Sequence, residues 1–513
     1  MRLPERFAEE MAALLRDEAE RFFASYEQPK QTGLRVNGLK LSGVDYEARF
    51  GRRGAPIPWT EDGRYTTEGD DRPGKHPHYD AGLYYIQEPS AMVPAELLDV
   101  RPGHRVLDLC AAPGGKTTQL AAKLRGEGVL VTNDNAAERT KALAKNVERA
   151  GIRNAVVTNE EPARLADAFG AFFDRVLVDA PCSGEGMFRK DEDMARLWEP
   201  GWPRRYAAMQ DAILAEAARM VAPGGRLVYS TCTFSPVENE GTIARFLAAF
   251  PDFAVVPIAA PAAWGFAPGR PDWLSAEEAA GLNEPRRASL SGTVRLWPHL
   301  CRGEGHFAAL LVREGETPER EVPLPASPVV EGRGARPMPV RDAKGTRKAI
   351  RGGKRPATVE PETDVLGKFD AFAADALGGW QPPGRLYVRG DYLYALSADI
   401  GEGQLHRLKV VRSGWLLGMA TKHRFEPSQA LAMGLSAGEA ARVLLLSADE
   451  DAALRYLRGE TLQPDPDRVA GRDGRSDTGR GWTLVCVDGY PVGWGRWDGA
   501  TLKNELLPGW RRV

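Results

Sequence analysis

Two cysteines, Cys182 and Cys232, each follow an apolar stretch that is typical of a buried strand. Asp179 lies three residues before Cys182, at the end of the first of these stretches. A thiolate that adds to carbon 6 of a pyrimidine ring makes carbon 5 a better nucleophile, which is a form of covalent catalysis. A carboxyl group such as that of Asp179 can stabilise the charge that develops at ring N3. The three side chains therefore favour covalent chemistry on a pyrimidine, and either cysteine could be the nucleophile.

The cysteine content as a whole indicates a reducing compartment. The chain has 5 cysteines in 513 residues, an odd number that is too small for a disulfide framework. Cys301 and Cys486 lie in apolar contexts, where a buried structural role is the commoner outcome. The sequence has no C-x-x-C pair, and no pair of histidines lies near Cys182 or Cys232, so we expect no metal site. The expected location is the cytoplasm.

The segment LDLCAAPGGKTTQL, residues 107–120, has the features of a cofactor loop. Its GGKTT core fits the end of a phosphate-binding loop, but the glycine that such a loop requires falls on Cys110, and Pro113 lacks a backbone N–H. What remains is a strand that ends at Asp108, a loop of small residues, and the start of a helix. Backbone N–H groups there can approach an adenosyl ligand, with the helix dipole facing its carboxylate. Asp134 ends the next strand, where an acidic residue can bind both ribose hydroxyls.

The elements that must position these residues alternate between strands and helices. From about residue 89 the pattern strand, glycine turn and helix repeats several times, up to a last strand near residue 313. This alternation predicts a parallel, doubly wound α/β sheet. Ligands of such sheets bind outside the carboxyl ends of the strands. Since Cys182 and Cys232 both follow strands, we expect them to project into the crevice that holds the cofactor loop.

Changes in composition divide the chain into four parts. These are a small α+β module at 1–85, the doubly wound domain at 86–313, a basic linker rich in proline and glycine at 314–362, and a β-rich region at 363–513. The basic residues of the linker include Arg333, Arg336, Arg341, Lys344, Arg347, Lys348, Arg351, Lys354 and Arg355. A soluble tether and direct contact with nucleic acid fit this segment equally well.

The overall composition is that of a soluble globular protein, with 43% hydrophobic and 27% charged residues. The net charge is −2, so any binding of nucleic acid must depend on local basic patches. The longest apolar stretches, such as residues 172–180, are too short to span a bilayer. Residues 5–26 predict one amphipathic helix, and no uninterrupted apolar segment follows, so we expect no signal peptide and no membrane association.

The motifs taken together resemble those of RsmF-type RNA cytosine methyltransferases of the Nol/Nop/Sun group, which make 5-methylcytosine in 16S ribosomal RNA. The matching stretches are QEPSAM at 87–92, LDLCAAPGGKT at 107–117, the strand end at Asp134, DAPCSGEGMFRKD at 179–191, and YSTCTFSPVENE at 229–240. The resemblance implies a Rossmann-like methyltransferase domain between an N-terminal RNA-binding module and a C-terminal PUA-like region that recognises RNA.

The resemblance also assigns roles to individual residues. It implies that S-adenosylmethionine is bound by Cys110, Ala111, Ala112, Pro113, Gly114, Gly115, Lys116, Asp134, Glu161 and Asp179. Counting along the chain gives Glu161 as the third cofactor acid, although Asn159 and Glu160 lie next to it. The resemblance further implies that Cys232 is the nucleophile and that Cys182 assists release of the product. DNA cytosine methyltransferases use the cysteine of the Pro-Cys motif instead, so the order comes from the resemblance alone.

The expected partner is 16S rRNA, either free or within the 30S subunit, and the expected state is a monomer. Candidate RNA contacts are Lys190, Arg412, Lys422, His423, Arg424, Trp494, Trp497 and Lys503. For any single tryptophan, packing in a small β core remains the commoner outcome. Three other functions stay open at this point: a non-catalytic RNA-binding assembly factor, the same chemistry on tRNA, and an ATP-dependent enzyme that uses the GGKTT segment.

Overall fold

The structure is a computed structural model that describes residues 3–51, 54–66, 72–317, 329–331, 363–401, 403–471 and 479–512. Most of the basic linker expected at 314–362 lies outside these residues, and so do the nine arginines and lysines named above. No helix in the described ranges combines the length and the apolar character that crossing a bilayer would require.

The N-terminal module is a three-stranded antiparallel sheet with helices around it. Its elements are α1 (Glu5–Leu15), α2 (Ala19–Ala24), β1 (Gly33–Val36), α3 (Gly43–Phe50), β2 (Gly63–Tyr65), α4 (Pro77–Asp80) and β3 (Tyr84–Gln87), with strand order β2-β1-β3. The single helix expected over 5–26 is wrong, because the chain breaks at Arg16, which has φ +50°. The break lets Phe7 of α1 and Phe22 of α2 enter one aromatic cluster, with ring centroids 6.4 Å apart.

The central domain is the expected doubly wound sheet, which the structure confirms. Its elements are α5 (Val93–Leu97), β4 (Arg105–Asp108), α6 (Gly115–Leu124), β5 (Val129–Asn133), α7 (Ala137–Arg149), β6 (Ala155–Thr158), α8 (Pro162–Phe169), β7 (Phe173–Asp179), α9 (Glu192–Leu197), α10 (Trp202–Met220), β8 (Val221–Thr231), α11 (Glu240–Ala249), β9 (Phe253–Val255), β10 (Ala267–Pro268), α12 (Ala276–Ala280), α13 (Glu284–Ser289), β11 (Val294–Leu296) and β12 (His306–Arg313).

The strand order of this sheet places the cofactor loop at its topological centre. Five strands run parallel in the order β8-β7-β4-β5-β6, and β12 pairs antiparallel with β8. The chain passes from β4 to β5 on one side and later returns to β7 on the other side. A crevice forms outside the carboxyl end of the strand where the winding changes direction. The loop after β4, the strand end at Asp179 and the segment after β8 meet at this edge.

The C-terminal region is rich in strands, as expected, and these form two further five-stranded sheets. Within the expected linker, β13 (Val329–Glu331) pairs with the first strand of this region. The elements of the region itself are α14 (Thr363–Ala376), β14 (Arg385–Arg389), β15 (Tyr392–Leu396), β16 (Val410–Ser413), β17 (Trp415–Ala420), β18 (Phe425–Pro427), α15 (Gln429–Gly434), β19 (Arg442–Leu446), α16 (Asp451–Leu457), β20 (Val469–Gly471), β21 (Gly481–Val487), β22 (Tyr490–Trp497) and β23 (Leu502–Asn504). The two sheets have the orders β13-β14-β15-β17-β18 and β20-β19-β21-β22-β23.

One C-terminal strand belongs to the central sheet. β16 pairs antiparallel with β6 and so covers what would otherwise be the exposed edge of the parallel strands. Leu405, Leu408 and Val410 are buried in the same hydrophobic cluster as Leu165 and Phe169 of α8. The C-terminal region therefore shares a core with the central domain.

Candidate active site

The cofactor loop is held in place at both of its ends. Gly114 has φ +111° and immediately precedes α6, and a Cβ at this position would come 3.2 Å from Leu143 Cδ1. Glycine is the residue type that tolerates this backbone conformation at little cost. Asp134 is buried at the end of β5, where its Oδ2 accepts the N–H of Ala112 at 3.3 Å. The loop thus opens onto the start of α6, with a carboxylate beside it.

The two glutamates after β6 have different surroundings. Glu160 is buried, and its Oε1 accepts the backbone N–H of Lys409 at 2.6 Å, so this side chain holds the C-terminal region against the sheet. Glu161 is exposed, and its carboxylate lies 3.3 Å from Nδ2 of Asn135, the residue that follows Asp134 in the chain. Asn159 Nδ2 donates to the backbone oxygen of Asp134 at 2.7 Å. Glu161 therefore has the carboxylate that remains accessible beside the cofactor loop.

Asp108 is a buried carboxyl group beneath the loop. Burial raises its pKa to about 7, although a hydrogen bond from Thr117 opposes the shift. Its Oδ2 accepts from Thr117 Oγ1 at 2.7 Å, while Oδ1 has no hydrogen-bond partner within the part of the chain that the structure describes. An unsatisfied buried oxygen is costly, so this site suits a ligand that brings a hydrogen-bond donor.

Asp179 lies at the centre of the polar groups in the crevice. Lys116 Nζ donates to its Oδ2 at 2.7 Å, and Ser230 Oγ donates to its Oδ1 at 2.7 Å. His306 Nε2 lies 3.8 Å from Asp179 Oδ1. Burial on its own would raise the pKa of Asp179, but the Lys116 ammonium, followed by His306 in its protonated form, holds that pKa well below its usual range. Asp179 is consequently a carboxylate at neutral pH.

Cys182 and Cys232 face each other across the crevice, with their sulfur atoms 3.3 Å apart. Both side chains are partly exposed, whereas Cys301 and Cys486 are buried. The hydrogen bond with Cys232, together with burial, raises the pKa of Cys182 well above its usual value, so Cys182 stays protonated. Burial raises the pKa of Cys301 and of Cys486 to about 12, which makes both unreactive thiols.

A buried polar network holds the two cysteine segments together. Glu238 Oε2 accepts the N–H of Ser183 at 3.0 Å and the side-chain N–H of Gln210 at 2.9 Å. Gln210 also donates to the carbonyl of Pro181 at 2.9 Å, and the N–H of Gly186 donates to the carbonyl of Cys232 at 2.9 Å. Burial raises the pKa of Glu238 to about 8. The sequence motif contains Glu238, but nothing in the local pattern distinguishes Gln210 from other polar residues of α10.

The expected RNA contacts fall into two groups. Lys190, Lys422, His423, Arg424 and Lys503 are exposed. Arg412 was expected to contact RNA, but its Nε instead donates to Glu148 Oε1 at 2.5 Å and so joins β16 to α7. Trp494 and Trp497 are buried in the C-terminal cores, which is the outcome that packing favours.

Four family models match successive parts of the chain. The model of 16S rRNA methyltransferase RsmB/F matches residues 95–312, and the N-terminal domain of 16S rRNA methyltransferase RsmF matches residues 3–89. The first C-terminal domain of RsmF rRNA methyltransferase matches residues 371–435, and the PUA domain of methyltransferase RsmF matches residues 443–512.

Similar proteins extend over nearly the whole chain. Ribosomal RNA small subunit methyltransferase F of Erwinia tasmaniensis is 31% identical over 98% of this chain and 95% of its own length. The protein of the same name from Vibrio parahaemolyticus is 30% identical over 98% of this chain and 96% of its own length. The solved structure of a methyltransferase homologue from Pyrococcus horikoshii is 30% identical, covers 60% of this chain and 95% of that chain, and has a TM-score of 0.51.

Proposed function

The chain belongs to the RsmF-type family of 16S rRNA cytosine methyltransferases, and we propose that it methylates carbon 5 of a cytosine through a covalent adduct with Cys232. The observation that supports this route most directly is the distance of 3.3 Å between Cys182 Sγ and Cys232 Sγ. Two thiols at this distance can divide the work of attack and release between them. Asp179 lies at the same edge of the sheet, since it ends the strand that pairs with β8.

The residues around the loop suit S-adenosylmethionine, the methyl donor of this family. We propose that Cys110 to Lys116, Asp134, Glu161 and Asp179 hold it. The buried carboxyl groups of Asp134 and Asp108 and the start of α6 match a ligand that carries ribose hydroxyls, an ammonium group and a carboxylate. When bound, this donor supplies an electrophilic methyl group for carbon 5 of the base.

The protein side chains account for the remaining steps. The Cys232 thiolate forms a bond to carbon 6, and the ring electrons move toward carbon 5. The ionised Asp179, held by Lys116, faces the ring and stabilises charge near N3. After methylation, the carbon 5 proton must pass to a base, the bond between carbon 6 and sulfur breaks, and the ring double bond is restored. We propose that Cys182 carries this proton: its thiol gives its own proton to the departing Cys232 sulfur, and the resulting Cys182 thiolate takes up the proton from carbon 5.

The finer parts of the account are also proposals. The substrate is 16S rRNA, free or within the 30S subunit, and the protein acts in the cytoplasm as a monomer. The division of the chain at about residues 85, 313 and 362 stays a prediction. The exposed basic turn that contains Lys422, His423 and Arg424 is our candidate for RNA contact in the C-terminal region.

Bisulfite sequencing of ribosomal RNA tests this function in cells. A strain that lacks the gene should lose 5-methylcytosine at one or more 16S positions, and the wild-type gene should restore it. A gene that encodes Cys232→Ala should fail to restore methylation while 30S assembly remains normal. Normal methylation with Cys232→Ala would contradict the proposed chemistry, and an assembly defect in the deletion strain that Cys232→Ala repairs would favour a scaffold role.

A further inference from the structure

His306 is a buried histidine at the edge of the crevice. It begins β12, and the antiparallel register that pairs Phe307 with Thr231 puts His306 level with Cys232. The His306 side chain is 3% exposed, and its Nε2 lies 3.8 Å from Asp179 Oδ1. This histidine therefore borders the same space as the proposed nucleophile and the proposed catalytic carboxylate.

The neighbours of His306 determine which ring nitrogen carries the hydrogen. Nδ1 lies 2.9 Å from the carbonyl oxygen of Gly305 and 3.4 Å from Ser90 Oγ. A carbonyl oxygen can only accept, and Ser90 gives its own hydroxyl hydrogen to Glu88. Both neighbours consequently accept from Nδ1, which places the hydrogen there. In the neutral ring, Nε2 then directs a lone pair toward Asp179 at the edge of the crevice.

Two hydrogen-bond acceptors therefore face each other. His306 Nε2 is buried and has no hydrogen-bond partner among the residues that the structure describes. Asp179 Oδ1, 3.8 Å away, is an acceptor that already receives the Ser230 hydroxyl. Because hydrogen bonds to nitrogen span about 2.7 to 3.2 Å, one nitrogen placed between the two acceptors can reach both. A buried acceptor without a donor costs free energy, so the pair is complete only when a donor enters.

We propose that His306 Nε2 and Asp179 Oδ1 jointly accept the two hydrogens of the exocyclic amine of cytosine. His306 is then a residue that selects cytosine over uracil, and this inference rests on the proposed function. Cytosine carries a donor amine at carbon 4, whereas uracil carries an acceptor oxygen there. With uracil in the site, three acceptors would face one another without a hydrogen between them.

A chemical version of a double-mutant cycle tests this contact. The full chain with Cys182→Ala is mixed with a synthetic RNA stem-loop whose target position, located by bisulfite sequencing, carries cytosine or pyrimidin-2-one. Pyrimidin-2-one lacks the exocyclic amine. The rate of covalent adduct formation is measured for each base, with His306 intact and with His306→Asn. For each base, the rate with His306 intact is divided by the rate with His306→Asn, so the intrinsic reactivity of that base cancels.

Loss of the amine should change the rate about tenfold more with His306 intact than with His306→Asn, which is the effect of one hydrogen bond. Asparagine can still donate to Gly305 in place of Nδ1 but has no group at the position of Nε2. His299→Asn is the matched control, because His299 is also buried and bonds Glu18 instead. If His306→Asn changes the rate of adduct formation by the same factor for cytosine and for pyrimidin-2-one, the proposed contact with the amine is wrong. The role of His306 would then be to position Asp179.

A second variant keeps the test valid if His306→Asn does not fold. The amide of His306→Gln can turn its N–H2 toward an oxygen, so this variant should narrow the preference for cytosine over uracil by about tenfold. An unchanged preference would overturn the proposal. Absence of any adduct with cytosine while His306 is intact would instead count against the proposed function.

Discussion

Asp179 is kept ionised by its immediate neighbours. The Lys116 ammonium lies 2.7 Å from its Oδ2 and is the largest influence that lowers the Asp179 pKa. The sequence predicts that both residues belong to the site, because one ends a strand and the other begins the helix after the loop. The sequence does not predict that they form a pair, since they are 63 positions apart in the chain and meet at the same edge only when the sheet forms.

Lys116→Met should make activity more sensitive to acid. Without the ammonium, the pKa of Asp179 rises, so Asp179 becomes protonated and inactive at a higher pH than in the wild type. The acid limb of the kcat profile, measured at saturating S-adenosylmethionine, should move up by about 1 to 3 pH units. Lys123→Met is the control, because Lys123 lies on the same helix but pairs with Glu96. An unmoved acid limb would show that Lys116 does not set the charge of Asp179.

The two crevice cysteines should be linked by mild oxidation. Their sulfur atoms are 3.3 Å apart, and Cys301 and Cys486 are buried away from reagents. Diamide, which takes up the two thiol hydrogens, should form a Cys182–Cys232 disulfide that mass spectrometry of tryptic peptides detects. Methylation should stop and then return after dithiothreitol. Cys182→Ala should resist this oxidation, and a failure to find the cross-link in the wild-type protein would contradict the facing arrangement.

At the scale of elements, local patterns predict what depends on local sequence. The strands and helices from β4 to β8 follow the alternation of apolar runs and glycine turns, and the structure confirms them. The helix break at Arg16 was missed because the amphipathic pattern continues through it, and the break follows from packing with residues that lie far along the chain. The pairing of β16 with β6 was missed for the same reason, since about 250 residues separate the two strands.

Gly114→Ala tests the turn that connects β4 to α6. Alanine must adopt φ +111° and approach Leu143 within 3.2 Å, so we expect a cost of about 1 to 3 kcal/mol and weaker binding of S-adenosylmethionine. Thermal melting and calorimetric titration measure these two effects. Gly201→Ala is the control, because a Cβ there meets nothing within 4 Å. Equal behaviour of the two variants would mean that the loop tolerates a side chain.

At the scale of the molecule, the C-terminal region and the methyltransferase sheet stabilise each other. β16 extends the central sheet, Arg412 pairs with Glu148 of α7, and the backbone N–H of Lys409 holds Glu160 beside the cofactor loop. Domain composition alone suggests separate units joined by a tether. The two parts share a core that contains Leu408 and Phe169. The sequence shows that both segments have apolar side chains, but it does not show that these side chains pack against each other, so the shared core could not be predicted.

Leu408→Ala should therefore destabilise the methyltransferase domain itself. The substitution leaves a cavity in the shared core, and truncations of this kind cost about 2 to 5 kcal/mol. S-adenosylmethionine should raise the melting temperature of the domain that binds it, which identifies the transition of that domain. This transition should occur at a lower temperature in Leu408→Ala than in the wild type. Leu445→Ala is the control, because Leu445 is 45% exposed. If only a separate, ligand-independent transition moved, the two parts would be energetically independent.

The central claim is that Cys232 attacks the base and Cys182 releases the product. Denaturing electrophoresis of each cysteine variant, incubated with 16S rRNA and S-adenosylmethionine, tests it most directly. Cys182→Ala should accumulate a covalent protein–RNA adduct that nuclease digestion and mass spectrometry map to Cys232. Cys232→Ala should form none. An adduct through Cys182 in the Cys232→Ala protein would contradict the account.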